Sequence, residues 1–358
     1  MKWKRLLALA LGLALLCSCT PKNSDPTPTP EVDPTPTAGA EVTPTPTPTD
    51  GPEQGEVTMR LAMLRDVTGL GMAYLIVKYP DGMPERPAGW VDPYTYTIKD
   101  AAEEVVAALK EGTVDAATLP TNLASVLYHE TDGGVQLLSL NAYGGLYILE
   151  KGWDVYSVYD LAGKTLHAVG RGTDPEYILS YLCREAGIGP AEVTVKWHDT
   201  ADQAVAATAE GELCMLPAVA ANAALLEDDS LRQALDLALE WEYAGCDGTP
   251  ITGCVVVRTE FARAHPEQVE QFLKDLEESV IHMTDPDHLD DAAGYGGWFM
   301  LAPSEEVAKA VLAEADLRCV TGEDMMDAIQ GYYQTLYMVS PAAIGGSIPD
   351  GAFYYGEG

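Results

Sequence analysis

"KEGTVDAATLPTNLASVL", residues 110–127, holds a helix end, a short apolar strand and the start of a second helix. Nearly the same order of residue types returns as "AEGELCMLPAVAANAALL", residues 209–226, with Leu-Pro at 119–120 and again at 216–217. Placing Asp100 on Asp199 brings Ala102, Val106, Ala107, Ala108, Glu111 and Gly112 onto Ala201, Val205, Ala206, Ala207, Glu210 and Gly211. After a short gap, Leu119, Pro120 and Ala124 meet Leu216, Pro217 and Ala221. The segments that open each half correspond as well. "LAMLRDVTGLGMAYLI" (61–76) and "LHAVGRGTDPEYILSY" (166–181) both read as strand, loop and helix, with Thr68 opposite Thr173. Two α/β lobes of similar plan are the economical reading, against chance likeness between alanine-rich helices.

Outward from the repeat, strands and helices alternate. "VTMRLAML" (57–64), "YTYTIK" (94–99), "AATLP" and "VQLLSL" (135–140) read as strands. Between the second and third, Asp100 is placed as an N-cap with Glu103 three residues on, a capping-box arrangement that Asp199 and Asp202 repeat. This alternation predicts parallel sheets covered by helices. "GLYILEK" (145–151) and "TGCVVVR" (252–258) bracket the second lobe and are expected to cross between the lobes. The expected lobes are therefore 57–145 plus 255–358, and 146–254. "HPEQVEQFLKDLEESVIHM" (265–283) predicts a long helix with Pro266 in its first turn and a stripe of Val269, Phe272, Leu273, Leu276 and Val280. The remaining C-terminal part is expected to be helical and to pack back on the first lobe.

The N-terminus belongs to no lobe. "MKWKR" is a basic start, and "LLALALGLALL" (6–16) is too short an apolar run to span a bilayer, which takes about 20 residues. Residues 1–18 read as an export signal. "LCSC" follows, with small Ser18 before Cys19 and bulky Leu16 before Cys17, so Cys19 is the expected lipidation site. Residues 19–56 form a Thr/Pro-rich tether: ten prolines between 20 and 54 and almost nothing apolar leave too little to bury against the entropy of ordering.

A formal net charge of −34 over 358 residues excludes nucleic acid as a natural partner, since phosphates would be repelled. Cys183, Cys214, Cys246, Cys254 and Cys319 have scattered spacing that matches no zinc pattern or disulfide framework; free thiols are preferred, with a Cys246–Cys254 bridge left open. No nucleophile elbow, zinc-protease motif or P-loop is present. "GLGMAY" and "GRGTDP" lack the third glycine of a dinucleotide fingerprint. The acidic, His-containing "HMTDPDHLDD" (282–291) is read as a solvated helix end and turn. Neither cofactor nor metal is expected.

In open α/β sheets, ligands sit beyond the carboxyl ends of strands, where loops lead into helix N-termini. Here those loops are "RDVTGLG", "LPTN", "GRGTDPE" and "LPAV". Their backbone amides, made accessible by Gly69, Gly71 and Gly172, suit a carboxylate, sulfonate, phosphate or ring carbonyl. Thr68, Thr173 and Asn122 add hydroxyl and amide groups, and Arg171 a positive charge. Tyr143, Tyr147, Trp153, Tyr177 and Trp241 lie in or near loops and crossovers, where a flat ligand could stack.

These residues resemble a known family. The Cys19 lipobox, the loop at 68–71, "LPTNLASVLY", "GGVQLLSLNAYGGLYILEKG", "DLAGKTLHAVGRGTDPEYIL", "TGCVVVRTEFARAHPEQVEQFL" and "IGGSIPDGAFYY" look like the substrate-binding lipoproteins of ABC importers, in the sulfonate/nitrate/thiamine-pyrimidine branch. The resemblance runs from about residue 57 to the end. It implies two Rossmann-like lobes joined by two crossover strands, a periplasmic-binding-protein-like fold of type II. It also implies a non-enzymatic protein, lipid-anchored outside the cytoplasm, that closes on a small organic ligand such as a sulfonate or pyrimidine. The ligand would then pass to an ABC permease powered by its ATPase. Carried over by motif, ligand contacts fall at Thr68, Gly69, Leu70, Gly71, Asn122, Tyr143, Gly144, Arg171, Thr173, Asp174 and Pro217, with Trp241 added. An enzyme of the same fold acting on a small acid, of the chorismate-dehydratase kind, and a surface sensor or adhesion lipoprotein are the alternatives. The cysteine-rich run of fungal thiamine-pyrimidine synthases is absent. The segment 80–94 looks longer than the usual link after the first helix.

Overall fold

The computed structural model describes residues 57–79, 91–246 and 248–356. The export signal, the tether with Cys19, and residues 80–90 of the long link lie outside the described residues.

Eleven strands are described: β1 (Met59–Leu64), β2 (Tyr94–Lys99), β3 (Ala116–Leu119), β4 (Val135–Tyr143), β5 (Leu146–Glu150), β6 (Thr165–Ala168), β7 (Thr194–Trp197), β8 (Leu213–Pro217), β9 (Arg232–Asp236), β10 (Ile251–Arg258) and β11 (Asp316–Val320). They form two sheets, ordered β11-β4-β10-β3-β1-β2 and β7-β6-β8-β5-β9. The sheets are mixed, which corrects the parallel expectation. β1 runs parallel to β2 and β3, and β6 parallel to β7 and β8. The strands that arrive from the other lobe lie antiparallel: β5 against β8 and β9, and β10 against β3 and β4. A chain that steps straight from one sheet into the next cannot make the helical crossover that parallel pairing needs.

The first crossing is only Gly144-Gly145, both left-handed at φ 63° and 67°, a conformation glycine adopts without strain. The second lies between 244 and 250, so β10 belongs whole to the first sheet. The crossings touch: the Gly144 amide donates to the Pro250 carbonyl at 2.8 Å, and Thr252 Oγ1 donates to the Gly144 carbonyl at 2.9 Å. β4 is buried along almost its whole length between β10 and β11, polar Ser139 and Asn141 included.

Helices cover both sheets: α1 (Val67–Leu70), α2 (Ala73–Lys78), α3 (Ala102–Glu111), α4 (Thr121–Glu130), α5 (Asp174–Glu185), α6 (Ala201–Ala207), α7 (Ala218–Glu227), α8 (Leu237–Tyr243), α9 (Thr259–Ala264), α10 (Pro266–Thr284), α11 (Leu289–Trp298), α12 (Glu305–Leu312) and α13 (Gly322–Val339). Pro120 and Pro217 stand at the N-caps of α4 and α7, so the repeated Leu-Pro is a strand end feeding a helix in each lobe.

The expected caps shift by one residue. α3 is preceded by Ala101, which makes no side-chain cap, because the Asp100 carboxylate instead accepts from Arg65 Nε at 2.6 Å. In the second copy the Thr200 side chain caps α6 in place of Asp199. The C-terminal part also contains a strand that helical periodicity hides, β11.

α10 buries Val269, Phe272, Leu276, Val280 and Met283 at three- and four-residue spacing. Each fully buried large side chain of this stripe contributes about 1.5–3 kcal/mol. Asp275 shares that buried face and is satisfied by Lys78 Nζ (2.8 Å), the Tyr94 hydroxyl (2.5 Å) and Gln271 Nε2 (3.0 Å). Among the described residues, Cys183, Cys214, Cys254 and Cys319 are free thiols.

Candidate functional site at the meeting of the two lobes

The loop between β1 and α1 folds back onto its own strand. A Cβ on Gly69 would lie 2.0 Å from the Leu64 carbonyl oxygen, so only glycine fits. Asp66 Oδ1 accepts from the Thr68 amide at 2.8 Å, the Thr68 hydroxyl at 2.5 Å and the Gly69 amide at 3.3 Å. Burial pushes the Asp66 carboxyl above its ordinary range, opposed by these donors. The Thr68 hydroxyl, a predicted ligand contact, is therefore spent on Asp66. Leu70 is fully buried, Gly71 packs beside Leu317, and a Cβ on Gly69 would also meet Leu301. The Thr68 carbonyl accepts from Asn141 Nδ2 at 3.3 Å.

The second predicted loop meets the other lobe directly. Asn122, in the first turn of α4, donates through Nδ2 to the carbonyls of Gly172 (3.0 Å) and Ala343 (3.1 Å). Its backbone amide donates to Asp174 Oδ2 at 3.3 Å, and the Tyr332 hydroxyl donates to Asp174 Oδ1 at 2.8 Å. Asp174 is fully buried. Burial pushes its carboxyl up to about 7 against the pull of Tyr332 and the amides of Asn122 and Thr121. The Thr173 hydroxyl is turned inward to the Gly170 carbonyl at 2.7 Å. Arg171 is exposed and makes no ion pair among the described residues.

At the crossings, Tyr143 is buried with the Arg318 guanidinium 4.3 Å above its ring, and burial pushes its hydroxyl up to about 12. Gly144 is the first left-handed glycine of the crossing. Pro217 pairs with Leu146 across β5, and the next amide, of Ala218, donates to the Gly145 carbonyl at 2.8 Å. Trp241 is buried between Tyr181 of its own lobe (ring centroids 4.8 Å) and Tyr332 of the other (5.9 Å).

The structure thus gathers Asn122, Gly172, Asp174 and Trp241 around Tyr332, with Tyr143, Gly144 and Pro217 at the crossings. No hydrogen bond joins Thr68 to Thr173 among the described residues. Tyr332 and Thr121 went unread in the sequence: one sits mid-helix 158 positions from its partner, the other is an ordinary helix-opening threonine. Asn122 Oδ1 and Asn141 Oδ1 are buried acceptors without a hydrogen-bond partner among the described residues. Such groups can take an N–H or O–H donor at a gain, because burying them unpaired costs about 1–3 kcal/mol. A cavity of about 210 Å³ that touches Leu109, Lys110, Leu127, Thr131 and Arg258, and a much smaller one that touches Leu61, Leu75, Tyr79 and Tyr94, are lined by none of these residues. No three His, Cys, Asp or Glu among the described residues are placed to hold a metal ion, and no described helix is long and apolar enough to cross a membrane.

Two mixed sheets joined by two adjacent crossings define the periplasmic-binding-protein fold. An ABC transporter protein from Parabacteroides distasonis superposes with a TM-score of 0.65 at 18% identity, over 83% of this chain and 98% of that one. The alkanesulfonate-binding protein SsuA from Xanthomonas axonopodis pv. citri, bound to MOPS, gives 0.59 at 16% identity over 79% and 93%. The aliphatic sulphonate-binding SsuA of Escherichia coli gives 0.60 at 16% over 78% and 86%. Within this fold, residues 135–288 match the NMT1/THI5-like family model. No curated protein matches the chain in sequence.

Proposed function

We propose that this protein is the extracytoplasmic solute-binding component of an ABC importer, taking a small organic ligand between its lobes and handing it to a permease. The observation that carries the reading is the set of contacts at the α4 N-terminus. There, groups of α4, α13 and the start of α5 converge on the buried Asp174 and Asn122. The resemblance of the fold to sulfonate-binding proteins supports it.

In this reading the lobes are residues 57–145 with the C-terminal part, and the segment between the crossings. Asn122, Tyr143, Gly144, Thr173, Asp174, Pro217 and Trp241 border the ligand site. Thr68, Gly69, Leu70 and Gly71 hold its floor, and Arg171 guards its rim. Cys19 carries the lipid, and the Thr/Pro-rich segment sets the distance from the membrane. Contacts made with both lobes at once favour the closed form only through differential affinity. Orphaned amide carbonyls at Asn122 and Asn141 favour ligands that bring a donor as well as an acid group or ring carbonyl.

Thermal denaturation against a panel of sulfonates, pyrimidines, flavins and carboxylates tests this. A true ligand at a hundred times its Kd stabilises the fold by about 2.7 kcal/mol. A panel in which nothing raises the melting temperature would remove the capture reading, and turnover of a stabilising compound would replace it with an enzyme.

A further inference from the structure

We propose that Asp174 is a latch between the lobes: its carboxyl, carried by the second lobe, fills the helix N-terminus of the first and holds the two together without a solute. The proposal deepens the capture reading and rests on it.

Asp174 is the first residue of α5, so its carboxyl lies at the N-terminus of its own helix. It is also seated on the N-terminus of α4, a ten-residue helix, through the amides of Asn122 and Thr121. Its carboxyl oxygens satisfy amides that helix geometry leaves open. Tyr332, from a third element, fixes the second oxygen. Asn122 reinforces the same contact by bridging Gly172 to Ala343. A solute bearing an acid group would need the donors that Asp174 now occupies.

The seat costs the carboxyl its water. Its neighbours that titrate are the Tyr332 and Tyr333 phenols of α13, the Cys254 thiol of β10 and Tyr177 of its own helix. No Lys, Arg or His among the described residues bonds to it. With the carboxyl pushed up to about 7, the closed form binds a proton that the solvated, open form releases. Acid therefore favours the latched state, and ionisation favours opening.

Trp241 reports on the latch, because its ring is buried against Tyr332 of the opposite lobe. The measurement is the tryptophan emission of the full chain minus that of a Trp241→Phe blank, followed from the acid to the alkaline side of pH about 7. The expected result is a buried-type emission in acid that shifts to the red as pH rises from about 4 to about 7 and levels off above that. In Asp174→Asn, which keeps an acceptor but cannot ionise, the transition is expected to vanish, with the emission staying blue throughout. In Asp174→Ala the emission is expected to be red even in acid. An unchanged transition in Asp174→Asn overturns the proposal, and so does wild-type emission at every pH in a folded Asp174→Ala. Should Asp174→Ala fail to fold, the Asp174→Asn transition decides alone. A solute that raises the melting temperature while these variants behave as wild type removes the latch and leaves capture standing.

Discussion

Gly253 lies flat against Thr68: a Cβ built on it would stand 2.2 Å from Thr68 Cγ2 and 2.9 Å from Ala142 Cβ. The strand that returns from the second lobe is thereby pressed onto the first loop of the first, and no larger residue fits without moving one of them.

Substituting Gly253→Ala should overpack this point and cost about 1–3 kcal/mol, the usual range for an added methyl with no space to take it. Urea denaturation measures the loss. Stability equal to wild type would mean that the loop and strand are less tightly apposed than described.

Within the second lobe, Glu150 is buried and receives Arg232 at 2.6 Å, together with the amides of Asp154 and Val155. Arg232→Met leaves that carboxylate without its cation, at an expected cost of about 3 kcal/mol. Arg232→Met combined with Glu150→Gln should recover part of the loss. A double-mutant cycle in urea reads the coupling, and simple additivity would deny it.

Stability should also fall as pH rises from about 4 to about 7. The Asp174 carboxyl is held near 7 in the folded chain and near 3.8 in the unfolded one, so across that window the folded state binds the extra proton. Each unit of difference is worth 1.36 kcal/mol, giving a decline on the order of 4 kcal/mol that levels off above 7. Asp66, raised for the same reason, adds to the decline in the same direction. Asp174→Asn should flatten most of it in a pH series of melting curves. A profile that climbs steadily over this range, in wild type and variant alike, would contradict the assignment.

The thiols should be slow to react. Burial pushes Cys183 and Cys214 up to about 11 and Cys254 higher still, which leaves almost no thiolate at neutral pH. A chromogenic disulfide should find little to titrate at Cys183, Cys214 and Cys254 in the native chain, and all five cysteines of the described residues after unfolding. Two fewer on unfolding without reductant would reveal a Cys246–Cys254 bridge.

The lobes were legible because the repeated Leu-Pro at 119–120 and 216–217 marks the same physical event twice, the exit of a buried strand into a helix N-terminus. Local patterning carried that event and the stripe on α10. It failed where a distant partner competed for a local group. Asp100 is drawn from its expected cap by Arg65, 35 positions away, and β11 is an edge strand defined only by its pairing with β4. The direction of β5 and β10 likewise depends on which sheet each enters. Of the site, the loops were readable and their wiring was not: Thr68 turns to Asp66, and Asp174 finds Tyr332 from across the molecule.

The bonds from Gly144 to Pro250 and Thr252 rivet the two connecting passages side by side at one place. Were the halves to part, links fastened together at one end would make that end the pivot, so the separation is expected to be least beside Gly144 and greatest at the rim farthest from it.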